Sequence, residues 1–185
     1  GIMNIGNDPK QRLNMSIKPM LNIRPGSPDG RYTLVIQLIL ERRRGVLFTP
    51  YRLLPEEFDL RKRKAVAVNQ RKTHVAHIRD VNAFLEKQRE EIARILAEFE
   101  RDGKPFTVHD ITSAYRRRYD NRYVHTFFQH QIAELIKEGS QGTANKYNAT
   151  LVAFEKFAGS RRVHFDDIDE NLLLDFERYL HQIPL

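Results

Sequence analysis

Two hydrophobic periods divide this chain. From Arg31 to Glu41 the positions alternate: Tyr32, Leu34, Ile36, Leu38 and Leu40 share one face, and Thr33, Val35, Gln37, Ile39 and Glu41 share the other. A period of two predicts a β-strand. The run Val46–Leu53 predicts a returning strand with Leu47, Thr49, Tyr51 and Leu53 on one face, and Arg42-Arg43-Arg44-Gly45 reads as the cationic hairpin tip between them. A shorter strand is expected within Met15–Arg24. It is ended by the turn-rich Pro25–Gly30, which combines fixed φ, a side-chain acceptor and a residue free to take positive φ. Three short antiparallel strands with one apolar face require a cover.

The period then changes. Between Lys72 and Arg101 apolar residues recur three or four apart at Val75, Ile78, Val81, Leu85, Ile92, Leu96 and Phe99. This predicts a long amphipathic helix, stopped by Asp102-Gly103 with Pro105 beyond. Its first part is expected to cover the sheet and its later turns to reach the following segment. Thr107 with Asp110 has the spacing of a capping box, opening a helix to about Arg117. A further helix is predicted over Val124–Lys137, burying Phe127, Phe128, Ile132 and Leu135. After a break at Gly139–Gly142, a helix opened by Thr143 and closed by Gly159 is built around Tyr147, Leu151, Phe154 and Phe157. Ser160–Arg162 connect it to a last helix with Asp169 as N-cap. Residues Gly1–Gln11 read as loose.

Charge changes this picture more than composition does. The 185 residues carry a net +7, but residues 1–71 hold 14 Lys or Arg against 6 Asp or Glu, whereas residues 72–185 hold 17 against 18. The whole excess lies in the strand-rich part, as expected of a surface that meets a polyanion. There is no cysteine, which excludes disulfides and thiolate zinc sites. No apolar run is long enough to span a membrane, and no secretory pattern opens the chain, so a soluble cytoplasmic protein is expected.

Catalytic and metal chemistry find no support. His74 and His77 could share a helix face but lack a carboxylate to complete a ligand set, and read as surface histidines. His125 and His130 flank an aromatic helix core without a marked partner. Asp166, Asp167, Asp169 and Glu170 lack calcium-loop spacing and suit a helix N-terminus. No phosphate-cradling glycine loop or nucleophile elbow occurs. Tyr147 and Tyr179 sit at core spacing. No metal, cofactor or enzymatic activity is expected of these residues.

DNA contact has three candidate surfaces. Arg31, Gln37 and the tip Arg42, Arg43 and Arg44 would form a ribbon that enters a major groove, with arginine on phosphate or guanine and Gln37 on adenine. Thr33, Val35 and Ile39 would lie outward beside Gln37. Arg61, Lys62, Arg63 and Lys64 form a basic loop. In the helical half, Arg116, Arg117, Arg118 and Arg122, and separately Asn145, Lys146, Arg161 and Arg162, could line a duplex, the cations positioning and Asn145 reading a base. A solvated charged face is the alternative in each case.

The motifs LNIR at Leu21–Arg24, DGRY at Asp29–Tyr32, the arginine hairpin and LLPEEFD at Leu53–Asp59 occur in that order. They are followed by GTANKYNATLVAFEKFAG at Gly142–Gly159, FDDID at Phe165–Asp169 and LLLDFERYL at Leu172–Leu180. Over Leu13–Leu180 this resembles the N-terminal part of tyrosine-recombinase integrases of phages and conjugative transposons. The resemblance implies an α+β fold: a small three-stranded arm-type DNA-binding domain with a long helix (13–103), then an all-α SAM-like core-binding bundle (104–185), incomplete at its C-terminus. It implies double-stranded DNA at arm-type and core-type sites as partner. In such integrases a separate domain carries the tyrosine nucleophile, and no catalytic residue carries over to this chain. Loss of cover and self-association are expected at Leu173, Phe176, Leu180 and Ile183. A non-recombinase nucleic-acid-binding regulator and a protein-interaction scaffold remain the alternatives.

Overall fold

The computed structural model describes residues 15–27, 29–119, 122–159 and 161–183. The expectations for Gly1–Gln11 and for Ser160 lie outside the described residues. Strands β1 (Ser16–Leu21), β2 (Tyr32–Leu40) and β3 (Arg43–Leu53) form an antiparallel sheet in the order β1-β2-β3. Ile36 lies between Pro19 and Leu47, and Leu38 between Ile17 and Gly45. That register gathers the alternating apolar residues on one face, where Leu34, Ile36, Leu38, Leu47 and Leu53 are fully buried. Each such side chain contributes about 1.5–3 kcal/mol.

The hairpin tip differs from the expectation. Glu41 and Arg42 are its two turn residues, with φ of 48° and 66°, the left-handed conformations that a primed two-residue hairpin requires. Arg43 and Arg44 open β3 opposite Leu40 and Ile39, and Gly45 is a strand residue. A Cβ at Gly45 would stand 2.8 Å from Thr112 Cγ2 and 3.1 Å from Val108 Cγ2. The glycine therefore serves close helix approach, not turn formation.

The outward face also differs. Val35 is buried at 3% exposure and Thr33 at 9%, while Gln37 and Ile39 are half-buried. Val35 sits between Met20 and Phe48 in the register, and these larger neighbours shield it. The basic run Arg61–Lys64, expected as a loop, is the tip of a small hairpin of β4 (Phe58–Asp59) and β5 (Lys64–Ala65), with Lys64 already in β5. Asn82 pins it to the long helix, accepting from the Ala65 amide and donating to the Ala65 carbonyl, both at 2.9 Å.

Helix α1 (Lys72–Asp102) ends at Gly103 with φ 67°. Ile78, Val81, Leu85, Ile92 and Ile95 are its buried stripe, Ile95 being buried more deeply than the expected Leu96. The Thr107–Asp110 capping box forms and starts α2 (Val108–Tyr119). Val108, Ile111, Ala114 and Tyr115 of α2 share one core with the sheet and α1. α2 therefore packs with the sheet and α1 on the far side of Gly103.

The remaining helices are α3 (Val124–Lys137), α4 (Gln141–Ala158) and α5 (Glu170–Gln182). α4 begins two residues before the expected Thr143 cap, with Ser140 at the cap position, and Gly159 at φ 62° closes it. Of the expected α4 core, Leu151 is buried, Tyr147 is 40% exposed, and Phe154 and Phe157 are half-buried. In α3, Ile132 is buried whereas Phe127, Phe128 and Leu135 are half-buried. This smaller bundle distributes its aromatic rings over a shallow cluster. Asp169 caps α5, its Oδ1 accepting from the Leu172 amide at 2.8 Å. No residue of α5 is fully buried. Leu173, Leu180 and Ile183 are exposed as expected, but Phe176 is covered by Phe154 and Phe157, with ring centroids at 5.4 and 5.2 Å.

Candidate nucleic-acid interface

The cationic candidates separate into those already engaged within the protein and those left free to meet phosphate. Arg42, Arg43 and Arg44 are exposed at and beside the hairpin tip and make no ion pair among the described residues. The tip lies beside the start of α2, where Gly45 meets Val108 and Thr112. On the outward face the register sets exposed Lys18 beside Gln37, with Arg44 opposite Ile39. Lys18 was missing from the sequence-based candidates. Its signal was the parity of β1, which only the pairing with β2 defines.

Arg31 is not part of this surface. Its guanidinium donates to Glu57 Oε1 at 3.0 Å, and Glu57 is buried at 1% exposure. The same carboxylate accepts from the Leu54 amide, so the pair fixes the 3-10 turn Pro55–Glu57 after β3. Removing Arg31 would strand a buried charge.

In the β4–β5 hairpin, Asp59 Oδ1 accepts from the amides of Arg61 and Lys62 at 2.8 and 2.9 Å. The Lys62 amide foremost holds the Asp59 carboxyl below its ordinary range, desolvation opposing it and the Arg61 amide adding to it. The side chains of Arg61, Lys62 and Lys64 point to solvent. Arg63 takes φ 55° and reaches the Pro19 carbonyl at 3.5 Å, so it is half-buried and directed at β1.

The helical candidates differ in the partners they already have. Arg116 donates to Glu134 Oε1 at 3.0 Å, joining α2 to α3, and this bond holds the Glu134 carboxyl below its ordinary range. Arg118 makes a bidentate contact with Glu98 at 3.1 and 2.5 Å, joining α2 to α1. Arg117 is exposed and unpaired among the described residues, and Arg122 lies over the Tyr119 ring at 5.8 Å. Asn145 and Lys146 are exposed on the first turns of α4, where Asn145 accepts from Gln141 at 2.9 Å. Arg161 and Arg162 turn elsewhere: Arg161 lies over Phe157 at 5.5 Å, and Arg162 bonds the Tyr51 hydroxyl and lies over its ring at 4.7 Å.

The histidines also depart from the expectation. His130 is buried, accepts from the Phe48 amide through Nε2 at 3.3 Å, and meets the Phe48 ring edge-on. It thereby takes up an amide of an edge strand, docking α3 on the sheet. His125 Nδ1 stands 2.6 Å from Glu155 Oε1, an ion-pair approach without hydrogen-bond alignment. His77 is half-buried against Tyr51, and burial lowers its pKa. His74 accepts from the Val68 amide at 3.0 Å. Among the described residues no cluster of His, Asp or Glu could hold a metal ion, and no helix is long and apolar enough to cross a membrane.

The described residues form a three-stranded sheet with a cationic hairpin, covered by a long helix and followed by a small helical bundle. The chain belongs to the Arm DNA-binding domain family, whose model matches residues 20–112, half its length, and residues 123–185 match the Phage integrase SAM-like domain. These are non-catalytic, N-terminal parts of phage integrases. No curated protein and no solved structure matches the chain.

Proposed function

We propose that this chain is the DNA-binding N-terminal part of a mobile element's site-specific tyrosine recombinase, and that it positions DNA for integration and excision. It binds without cutting. The first unit, extended through α2 to about residue 119 because of the shared core, takes arm-type sites. The helical unit that follows grips DNA near the strand-exchange point. Double-stranded DNA is the partner, and the cytoplasm is the compartment in which it is met.

The observation that carries this reading is the β2–β3 hairpin. Three adjacent arginines stand exposed there without a carboxylate partner among the described residues, next to an outward ribbon bearing Lys18 and Gln37. Arg61, Lys62 and Lys64 add a second free cationic group, Arg117 on α2 adds a further exposed cation to the first unit, and Arg122, Asn145 and Lys146 are the contacts assigned to the helical unit. Arg31, Arg116 and Arg118 are withdrawn from the contact set because meeting phosphate would break ion pairs they already make, and Arg63 because its side chain is directed at β1.

Fluorescence anisotropy of the chain against duplex DNA at several salt concentrations tests the proposal. Changing Arg42, Arg43 and Arg44 to Ala removes up to three phosphate contacts, and the slope of log affinity against log salt falls by about 0.9 for each. A slope and affinity equal to wild type would remove the hairpin from the interface. The exposed Leu173, Leu174, Leu180 and Ile183 on α5 support self-association as a second property. Sedimentation that stays monomeric at high protein concentration would refute it.

A further inference from the structure

Between β3, the start of α1 and the end of α4 lies an open cleft of about 1020 Å³. Its wall holds three carboxylates, each with a basic side chain within 4 Å. Asp29 is paired with Arg52 at 2.9 Å, Glu57 with Arg31 at 3.0 Å, and Glu155 lies 2.6 Å from His125 and 3.8 Å from Arg52. Burial alone would raise the pKa of Asp29, yet the Arg31 amide first and then the Arg52 guanidinium bring it below the ordinary carboxylate value.

Four further cations line the same cleft without a carboxylate partner among the described residues: Arg71, Lys156, Arg161 and Arg162. Two of them are held in place by groups that leave their charge uncompensated. Arg162 is fixed by the hydroxyl and ring of Tyr51, and Arg161 by the Ala158 carbonyl at 3.2 Å and the Phe157 ring. Arginine heads set in place by neutral partners lose little entropy on taking up an oxyanion and suit phosphate geometry. Thr73, in the first turn of α1, shares the wall, and that turn carries no acidic residue. The cleft is about as large as the upper end of small-molecule sites, roughly 300–1,000 Å³.

We propose that this cleft binds the phosphate groups of a ligand that is not a duplex. The ligand is either a free oligophosphate, such as that of a nucleotide, or the backbone of a short single strand of nucleic acid. Uncompensated cations gathered in a concave site raise local anion concentration, and a few phosphates supply the missing charge. The proposal rests on the cleft and not on the hairpin, and it gives Arg161 and Arg162 a role separate from duplex contact.

Calorimetric titration of the whole chain with inorganic pyrophosphate, and separately with a short oligothymidylate, tests it. The variants are R71A/R161A and, as a control outside the cleft, R94A. One equivalent of at least one probe should bind, at least tenfold more weakly in R71A/R161A and equally in R94A. Pyrophosphate binding as tightly as the oligonucleotide would identify a free-anion site. Tighter oligonucleotide binding that falls about twentyfold between about 50 and about 200 mM salt would identify a strand site with about three phosphate contacts. If R71A/R161A fails to fold, R71E takes its place, since the exposed Arg71 side chain makes no internal ion pair among the described residues. No binding of either probe at low salt, or equal affinity in wild type and the cleft variant, overturns the proposal. Duplex binding that persists in that case leaves the hairpin reading standing.

Discussion

Gly45→Ala is the sharpest test of how the first unit is assembled. Gly45 has no positive φ, so an alanine fits the backbone there. Considered as a strand position alone, the substitution should stabilise by about 0.5–1 kcal/mol by reducing the entropy of the unfolded chain. The structure reverses the sign. The new Cβ would lie 2.8 Å from Thr112 Cγ2 and 3.1 Å from Val108 Cγ2. Thr112 is buried at 5% exposure, and its Oγ1 donates to the His109 carbonyl at 3.0 Å. Rotating the methyl away would sacrifice that bond, so α2 must shift instead. Overpacking of this kind costs about 1–3 kcal/mol, and a contact this short belongs in the upper half of that range. The net expectation is a loss of about 1–2.5 kcal/mol. With a urea m-value of about 2 kcal/mol/M, the midpoint falls by about 0.5–1.25 M. Urea unfolding followed by circular dichroism measures this directly. Thr112→Ser deletes the offending methyl and keeps the hydroxyl, so G45A/T112S should recover part of the loss, with a coupling of at least about 0.5 kcal/mol. A Gly45→Ala protein as stable as wild type, or an additive double mutant, would refute the close seating of α2 on β3.

Other consequences concern the seams and caps. Asp169→Ala should cost about 0.5–2 kcal/mol through loss of the Leu172 amide bond, read from the thermal midpoint. Leu151→Ala should cost about 2–5 kcal/mol, because Leu151 is fully buried in the smaller bundle. A cost under 1 kcal/mol would mean that this core is not packed as described. His77 has its pKa lowered, burial first and Arg162, His74 and Arg31 after it outweighing the opposing pull of Glu57. Its contribution to stability is complete above the unfolded value of about 6.5 and is lost as pH falls through the lower folded value. Thermal midpoints between about pH 7 and pH 5 should therefore fall less in His77→Gln than in wild type. An unchanged slope would exclude His77 as a cause.

Much of the architecture was legible because local rules decided it. The period-two pattern from Tyr32 to Leu40 marks a strand with one apolar face, and the three-to-four spacing from Val75 onward marks a long amphipathic helix. Thr107 with Asp110, Asp169 and the glycines at 103 and 159 mark helix ends by backbone chemistry that needs no tertiary partner. The concentration of positive charge in residues 1–71 likewise belongs to the chain alone.

Other features exist only once distant residues meet. Two left-handed residues, Glu41 and Arg42, take the turn because pairing of Leu40 with Arg43 demands it, although Gly45 was the residue with freedom to spare. Val35 is buried by the side chains that register sets beside it, not by its own place in the alternation. Arg31, Arg116 and Arg118 resemble Arg42 in sequence, yet Glu57, Glu134 and Glu98 engage them across 26, 18 and 20 residues. His130 reaches Phe48 over 82 residues, and Arg162 reaches Tyr51 over 111. Periodicity reports which face of an element is apolar, because that depends on nearest neighbours along the chain. Whether a surface cation is left for a ligand depends on which carboxylate the fold brings within about 4 Å of it, and only tertiary packing decides that.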